Sequence, residues 1–352
     1  MSTPQSDSTP LAKATVGTVL VTGAAGYIGT HTLVELLAAG YDAVCVDNFC
    51  NSSPTAIERV QEISGRKAVF EQLDVRDGAA LDRLLTRHPV DSVIHFAALK
   101  AVGESVAQPL AYYDNNVGGT LSLLGACRRA GVSKFVFSST ATVYGTPARL
   151  PLTEDMPIAP LHPYATSKVM AEQMLRDLCV ADPSMAAISL RYFNPIGAHP
   201  SGLIGEDPRD IPNNLFPFIT QVAIGKRPRL AIFGNDWPTP DGTGVRDYLH
   251  VVDLARGHVA ALAHAARRPG FDAINLGTGE GTSVLQLVAA FEQATGQSIP
   301  REVVARRPGD IAAFWADASK ARRLLGWKAE LSIAQACASG WHWQQHNPDG
   351  YR

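Results

Sequence analysis

Two side chains four residues apart, Tyr164 and Lys168, are suited to moving a proton. They open a stretch, 163–180, whose apolar spacing predicts a helix, so both fall on one helical face. A free phenol has a pKa near ~10, too high for a base at neutral pH. A neighbouring ammonium favours the phenolate. Read alone, such a pair describes a surface tyrosine and lysine on an amphipathic helix. A hydroxyl cluster, Ser138-Ser139-Thr140, stands just past a predicted strand. In a parallel sheet it would meet the helix at the strand tips, where such folds bind ligands.

The second chemical pattern is Gly23-x-x-Gly26-x-x-Gly29, leaving a short apolar strand and opening a helix. Gly23 permits a tight turn, Gly26 lets the backbone approach a pyrophosphate, and Gly29 allows close helix packing. A helix N-terminus there offers free N–H groups to phosphates. Asp47 follows the second predicted strand, 18 residues beyond Gly29. A carboxylate at that place accepts hydrogen bonds from an adenosine ribose and repels a 2′-phosphate, which favours NAD over NADP. An oxidised nicotinamide would add positive charge near Tyr164. Asp74 and Val75, after the third strand, read either as a strand-end turn or as contacts to the adenine.

The elements that must position these groups alternate. Strands are expected over 17–22, 41–46, 68–73, 90–96, 134–138 and 186–191, with helices over 26–39, 110–130 and 163–180. That pattern predicts an α/β fold with a doubly wound parallel sheet. Past residue 194 the chain is richer in Pro, Gly and Asn, and later helical stretches at 252–266 and 283–294 suggest a smaller α/β substrate domain. The expected division is a tail over 1–16, a dinucleotide domain over 17–193 and a substrate domain over 194–352, with segments crossing between lobes.

Composition narrows the class. The 352 residues are 46% apolar and 18% charged, which excludes a collagenous or wholly disordered chain. With 31 basic and 33 acidic residues there is no basic excess for nucleic acid. The five cysteines, at 45, 50, 127, 179 and 337, have no C-x-x-C spacing and read as reduced thiols of a cytoplasmic protein. No apolar run has the ~18 residues of a membrane span. The histidines form no metal-binding pattern. His31, His95 and His250 read as structural, and Trp341-His342-Trp343 as packing for a C-terminal helix.

Long stretches carry a resemblance: VTGAAGYIGTH at 21–31, VDNFCNS at 46–52, HFAALKAVGESV at 95–106, FSSTATVYG at 137–145, LRYFNPIGAHPSG at 190–202 and IFGNDWPTPDGTGVRDYLHVVDLA at 232–255. From about residue 18 onward the sequence resembles the UDP-glucose 4-epimerases of the extended short-chain dehydrogenase/reductase superfamily. The resemblance implies a Rossmann domain, tightly held NAD, and C4 epimerisation of UDP-glucose and UDP-galactose through a transient 4-keto sugar, a reaction of galactose metabolism. It makes Tyr164 the base, Lys168 its electrostatic partner and Thr140 the hydroxyl on the sugar 4-oxygen. Many members carry serine at the position of Thr140. A threonine hydroxyl makes the same bond with a stiffer rotamer.

By the same match the cofactor groove is lined by Gly23, Gly26, Tyr27, Ile28, Gly29, Asp47, Asn48, Asn51, Ser52, Asp74 and Val75. It continues along Phe96, Ala97, Ala98, Leu99, Lys100, Asn115, Thr140, Tyr164, Lys168 and Phe193. The nucleotide sugar is assigned to Lys100, Thr140, Tyr164, Tyr192, Asn194, Asn214, Leu215, Ala231, Ile232, Phe233, Arg246, Arg307, Asp310 and Phe314. Two arginines can clamp a diphosphate by charge-assisted bonds. A bulky Phe314 implies restriction to sugars without a 2-N-acetyl group. The family is commonly a homodimer, which points to helices 110–130 and 163–180 as the pairing surface. The alternatives are a UDP-N-acetylglucosamine 4-epimerase, another NAD-dependent nucleotide-sugar enzyme, or a non-enzymatic NAD-binding regulator. Dehydratases of the superfamily carry an acidic pair after the hydroxyl residue. Here those positions are Ala141 and Thr142.

Overall fold

A computed structural model describes residues 16–209, 211–212, 214–307 and 309–352. The N-terminal tail expected over 1–16 lies outside them, apart from Val16.

Six short strands, β1 (Thr18–Thr22), β2 (Asp42–Asp47), β3 (Val69–Gln72), β4 (Ser92–His95), β5 (Lys134–Ser138) and β6 (Ala186–Tyr192), lie parallel. Their near-continuous apolar runs suit strands covered on both faces, and Val19, Leu20 and Val21 of β1 have no exposed surface. The covering helices begin with α1 (Tyr27–Ala38), α2 (Pro54–Ser64) and α3 (Gly78–Arg87). Proline opens α2, and Gly65 ends it in the left-handed region at φ 64°. The Asp77 carboxylate caps α3 by accepting from the Ala80 N–H.

The stretch 110–130, expected as one helix, is not regular. Two short helices, α4 (Val102–Ala107) and α5 (Pro109–Tyr112), lead into a wide π-turn over Tyr113–Gly118 before α6 (Gly119–Arg129). Tertiary bonds explain the widening. Asn116 inside the turn accepts from the Leu99 N–H (2.8 Å) and donates to the Leu99 carbonyl and to Ser167 (both 3.0 Å). An extra residue per turn carries that amide to the loop behind β4. The long helix α7 (Pro163–Ala181) follows β5, with Pro163 in its first turn and His162 Nδ1 accepting from the Ala165 N–H.

Past β6 come β7 (Asn194–Ile196), α8 (Leu215–Ala223), β8 (Leu230–Phe233), β9 (Val245–Arg246), β10 (Tyr248–His250) and α9 (Val251–Ala265). Then come β11 (Gly270–Leu276), β12 (Thr282–Ser283), α10 (Val284–Thr295), β13 (Arg301–Val304), β14 (Ala313–Phe314), α11 (Ser319–Leu325) and α12 (Ile333–His346). Strand β11 joins β6, so the main sheet has seven strands in the order β11-β6-β5-β4-β1-β2-β3. Helix α9 packs on α1 against one face of that sheet. The remaining strands pair as β7 with β10, β8 with β13, and β9 between β12 and β14. Capping boxes start α10 (Ser283, Gln286) and α12 (Ser332, Gln335), and the two helices share an apolar core with Phe216, Ile219 and Leu230. Trp341 lies edge-on to Phe291, and Trp343 is buried.

Four buried histidines work as neutral hydrogen-bonding groups. His31 pairs with the Tyr27 carbonyl (2.7 Å) and His258 with that of Leu254 (2.9 Å). His95 bridges Thr22 (2.6 Å) and Thr120 (3.1 Å), and His250 accepts from the Val252 N–H (3.1 Å). Burial lowers His31 and His95 to about 3, and His250 and His258 to about 4. Between those values and about 6.5 the unfolded chain binds protons that the native state refuses, so stability falls as pH drops through that window. Each group contributes up to about 1.4 kcal/mol per pH unit there. We expect the Tm to decline steeply from pH 6.5 to pH 4. A flat thermal-melting profile over that range would contradict burial in the neutral form.

Candidate active site

The strand order reverses between β1 and β4, and a crevice opens at the carboxyl ends of strands at such a switch point. Gly23 makes the turn out of β1 at φ 67°, its N–H donating to the Val46 carbonyl (2.8 Å). A Cβ there would lie 2.7 Å from the Ala97 nitrogen, so no other residue fits without moving β4's loop. A Cβ on Gly29 would lie 2.3 Å from the Gly23 carbonyl. The close approach at Gly29 is thus to the turn itself rather than to the sheet. Gly26 precedes α1 with no side-chain cap, which leaves the first-turn N–H groups for an anion.

Asp47 ends β2 and is buried. Its carboxylate accepts from the N–H groups of Ala25 (3.0 Å) and Phe49 (2.9 Å) and from the Ser52 hydroxyl (2.7 Å). Asn48 donates to Asp74 (3.1 Å) and accepts from the Cys50 N–H (3.0 Å), and Asn51 is exposed. Bonds from Arg76 hold the Asp74 carboxyl well below the usual range. The Val75 side chain is buried against Gly119, so only its backbone is available to a ligand. Phe96 packs on His258, with ring centres 4.7 Å apart, and the Ala97 N–H lies 3.5 Å from the Thr22 hydroxyl.

The residues expected to move a proton assemble where β5 meets α7. Lys168 is buried and donates to the Ser138 carbonyl (2.7 Å), with its nitrogen 6.0 Å from the centre of the Tyr164 ring. Burial lowers Lys168 to about 7, against the opposing pull of the Glu172 carboxylate. Burial pushes the Tyr164 phenol up to about 12, and a hydrogen bond with Thr140 works the other way. Thr140 is extended, and its hydroxyl accepts from the Thr142 N–H (3.2 Å). His162 stacks parallel to Tyr164 at 5.9 Å. The Tyr192 phenol is bonded to the Ser138 hydroxyl.

Residues assigned to a sugar nucleotide gather beyond β6. Phe193 and Phe314 are both buried, with ring centres 5.1 Å apart, in a cluster with Ala141 and Val143 next to Thr140. In register, Phe314 pairs with Arg246. Arg246 is desolvated and feels the charges of Asp310 and Arg307. Arg307 lies over the Phe233 ring at 4.4 Å and donates to Asp310 (3.2 Å). Ile232 faces the core, whereas Ala231 and Phe233 keep exposed surface. Asn194 donates its N–H to the Asp247 carbonyl (3.0 Å). Asn214, just before Leu215 and α8, donates to Glu206 (3.0 Å), which also pairs with Lys100 (3.2 Å). The Tyr27 hydroxyl reaches the Gly197 carbonyl (2.6 Å), and Asn115 donates to its neighbour Asn116 (2.9 Å).

Three supporting residues escape a reading of the sequence. Glu172, one turn beyond Lys168 on the same face, could have been found by that spacing. Its carboxylate accepts from Ser139 (2.6 Å), Ser189 (2.9 Å) and Arg191 (3.0 and 2.6 Å). Asp247 and Asn116 give no local signal. Asp247, fully buried, accepts from Thr278, Gly279 and Ala316 and donates its N–H to the Phe314 carbonyl. No group of three or more His, Cys, Asp or Glu residues placed to hold a metal occurs among the described residues.

The sheet, the glycine turn and the Tyr164–Lys168–Thr140 group define a member of the extended short-chain dehydrogenases/reductases. The family model described as GDP-mannose 4,6 dehydratase matches residues 20–339. UDP-glucose 4-epimerases of Dictyostelium discoideum and Bacillus subtilis are each 55% identical to the chain, over 95% of it and 97% and 98% of their own lengths. The crystal structure of UDP-glucose 4-epimerase from Bifidobacterium longum, in complex with NAD+ and UDP, superposes with a TM-score of 0.92 at 56% identity, covering 95% of this chain and 99% of that one. With relatives this similar along nearly all of its length, the chain belongs to the UDP-glucose 4-epimerase family.

Proposed function

We infer that this chain interconverts UDP-glucose and UDP-galactose at C4, using an NAD that it retains through turnover. One observation carries the reading: Tyr164, Lys168 and Thr140 gather at the carboxyl end of β5, at the same end of the parallel sheet as the glycine turn that leaves β1, and Phe314, in contact with Phe193, pairs in register with Arg246. The turn fits a dinucleotide. Gly23 and Gly29 let the turn close tightly, since a Cβ at either would meet backbone at 2.7 or 2.3 Å, the start of α1 is uncapped, and Asp47 presents a carboxylate at the ribose position. NAD, when bound, supplies a reversible hydride acceptor for the sugar C4 and a positive ring that favours a phenolate.

Tyr164 takes the 4-hydroxyl proton, with Thr140 relaying or orienting it. Lys168, held on the Ser138 carbonyl, keeps a positive charge beside the phenol that is strongest below about pH 7. Arg246 and Arg307 clamp the diphosphate while the oxidised sugar turns over, and Tyr164 returns the proton after hydride comes back to the other face. Ala141 and Thr142 offer no acid or base, so the site is not built for the elimination of a 4,6-dehydratase.

Purified protein given UDP-galactose without added NAD is expected to form UDP-glucose, resolved by chromatography. Tyr164→Phe should lose about 10²–10⁴ in turnover while keeping its nucleotide. Near-normal turnover in that variant would remove Tyr164 from the role of base.

Phe314, wedged on Phe193, limits the room beside the sugar. Replacement by alanine is expected to admit UDP-N-acetylglucosamine while UDP-glucose is still turned over. If the variant gains no activity on the N-acetyl sugar, Phe314 is only a packing residue.

We also infer a cytoplasmic homodimer. All five cysteines are free thiols. Val106, Leu110 and Met170 expose apolar surface on helices α4, α5 and α7, which pack side by side. Light scattering should give about twice the monomer mass, and Leu110→Lys should halve it. A monomeric wild-type protein would refute the pairing.

A further inference from the structure

Arg209 reaches from the segment after Gly205 to the loop that follows β2. Its Nη1 donates to the carbonyl of Cys50 (2.9 Å), and its Nη2 donates to those of Phe49 (2.8 Å) and Ser52 (2.6 Å). Three carbonyls from four consecutive residues converge on one guanidinium that lies at least 157 positions away in sequence. A planar fork can serve them together, and a lysine could not do so in the same geometry.

The loop needs such a partner. Phe49 sits at φ 58°, a conformation uncommon for a residue with a side chain. Its ring is fixed by stacking on Phe70 at 5.1 Å. The loop's own side chains take its N–H groups, Asp47 that of Phe49 and Asn48 that of Cys50. Arg209 takes the carbonyls. Its own segment is anchored on the far side. Tyr351 donates its N–H to Asp207 (3.1 Å), Trp343 donates to the Glu206 carbonyl (3.4 Å), and the Gly205 N–H donates to the Tyr351 hydroxyl (3.2 Å). Arg59 braces the same corner, lying over Tyr351 at 5.1 Å and donating to the Leu203 carbonyl (2.9 Å). The guanidinium is therefore delivered from a fixed point.

We propose that Arg209 is a positioning residue for the adenosine end of the cofactor: it locks the 49–52 loop in its binding conformation and sets how slowly NAD leaves. This rests on Asp47 and Ser52 forming the ribose site. Arg209 acts through the loop and touches none of the reacting atoms. Without it, three carbonyls turn to water and the loop is released to relax toward ordinary backbone angles, in which Asp47 and Ser52 no longer share one bonded arrangement.

The test is retention of nucleotide by the full chain. Wild type and Arg209→Ala are desalted, NAD is released with acid and quantified, and exchange against labelled NAD is timed. The wild type should leave the column loaded. Arg209→Ala should exchange about tenfold faster or more, the size expected for loss of hydrogen bonds to a charged group. It should leave the column depleted, and added NAD should restore the lost turnover. Equal occupancy, with exchange rates within about twofold of each other, overturns the proposal and leaves the ribose site standing. A wild type that neither retains NAD nor responds to it overturns both. Turnover that added NAD does not restore, together with a lower Tm at saturating NAD, marks Arg209 as a general structural residue and likewise overturns the proposal.

Discussion

The reacting end of the molecule hangs on one buried ion pair. Glu172 and Arg191 are 2.6 Å apart and almost wholly removed from water. A charge in that position is tolerated only if every lone pair and proton finds a partner. Here they do. Ser139 and Ser189 complete the carboxylate, and Arg191 also donates to the Tyr144 hydroxyl (3.1 Å), which donates to Asn275 (2.7 Å). The pair joins α7 to the ends of β5 and β6, and through Tyr144 to β11. Removing one member of such a pair costs about 3–5 kcal/mol, since the other is left charged and unpartnered. The arrangement therefore has one low-energy geometry. That geometry fixes Ser139, hence Thr140, and fixes the helix face that carries Tyr164 and Lys168.

Glu172 has a second effect at a distance. Burial alone drives Lys168 toward the neutral amine, and the nearby carboxylate opposes it. The lysine is left close to the midpoint of its titration at neutral pH. Its charge is then easily raised or lowered by what enters the crevice. Tyr164 is the converse case, because burial holds its proton on until positive charge arrives. Two groups whose environments oppose their charged forms mark this end of the sheet as a candidate functional site.

Much of this was legible in the sequence where local physics decides the outcome. Strands β1, β2, β5 and β6 and helices α1 and α7 fall within a few residues of their expected places, because an apolar run or a periodic face fits only one kind of element. The glycine turn was legible for the same reason: positive φ and a missing Cβ leave a composition that can be read. Strand β11 was not read. Its Asp272 pairs with Lys320 (3.1 Å) and its Asn275 serves Tyr144, so partners distant in sequence neutralise residues that look wrong for a buried strand. Helix α2 buries only Ala56, Ile57 and Val60, too thin a stripe to stand out. The π-turn at Tyr113–Gly118 is set by Asn116 reaching Leu99, a contact with no local cue. Asp247 and Arg209 escape for that reason too, since each is defined by the backbone it meets.

A hydride transfer requires the acceptor and the sugar to be held in one geometry with little water between them. The glycine turn and the arginine pair lie on segments far apart in the chain, so no single element can impose that geometry. Short cross-connections do it instead. Tyr27 at the start of α1 is bonded to Gly197, Lys100 behind β4 meets Glu206, and the Asp247 carbonyl, between β9 and β10, takes the Asn194 N–H. Each bond has one end on the dinucleotide side and the other on the sugar side, or orders a residue of the latter. Glu206 is the most exacting of them, because one carboxylate oxygen serves both Lys100 and Asn214. A shift of either wall breaks a bond that the other needs. Alongside the apolar packing of Phe314 and Ala316 with Ala141 and Val143, the crevice is thus held at one width by paired polar groups. Such contacts can exchange partners when a diphosphate arrives, whereas a packed core would have to open.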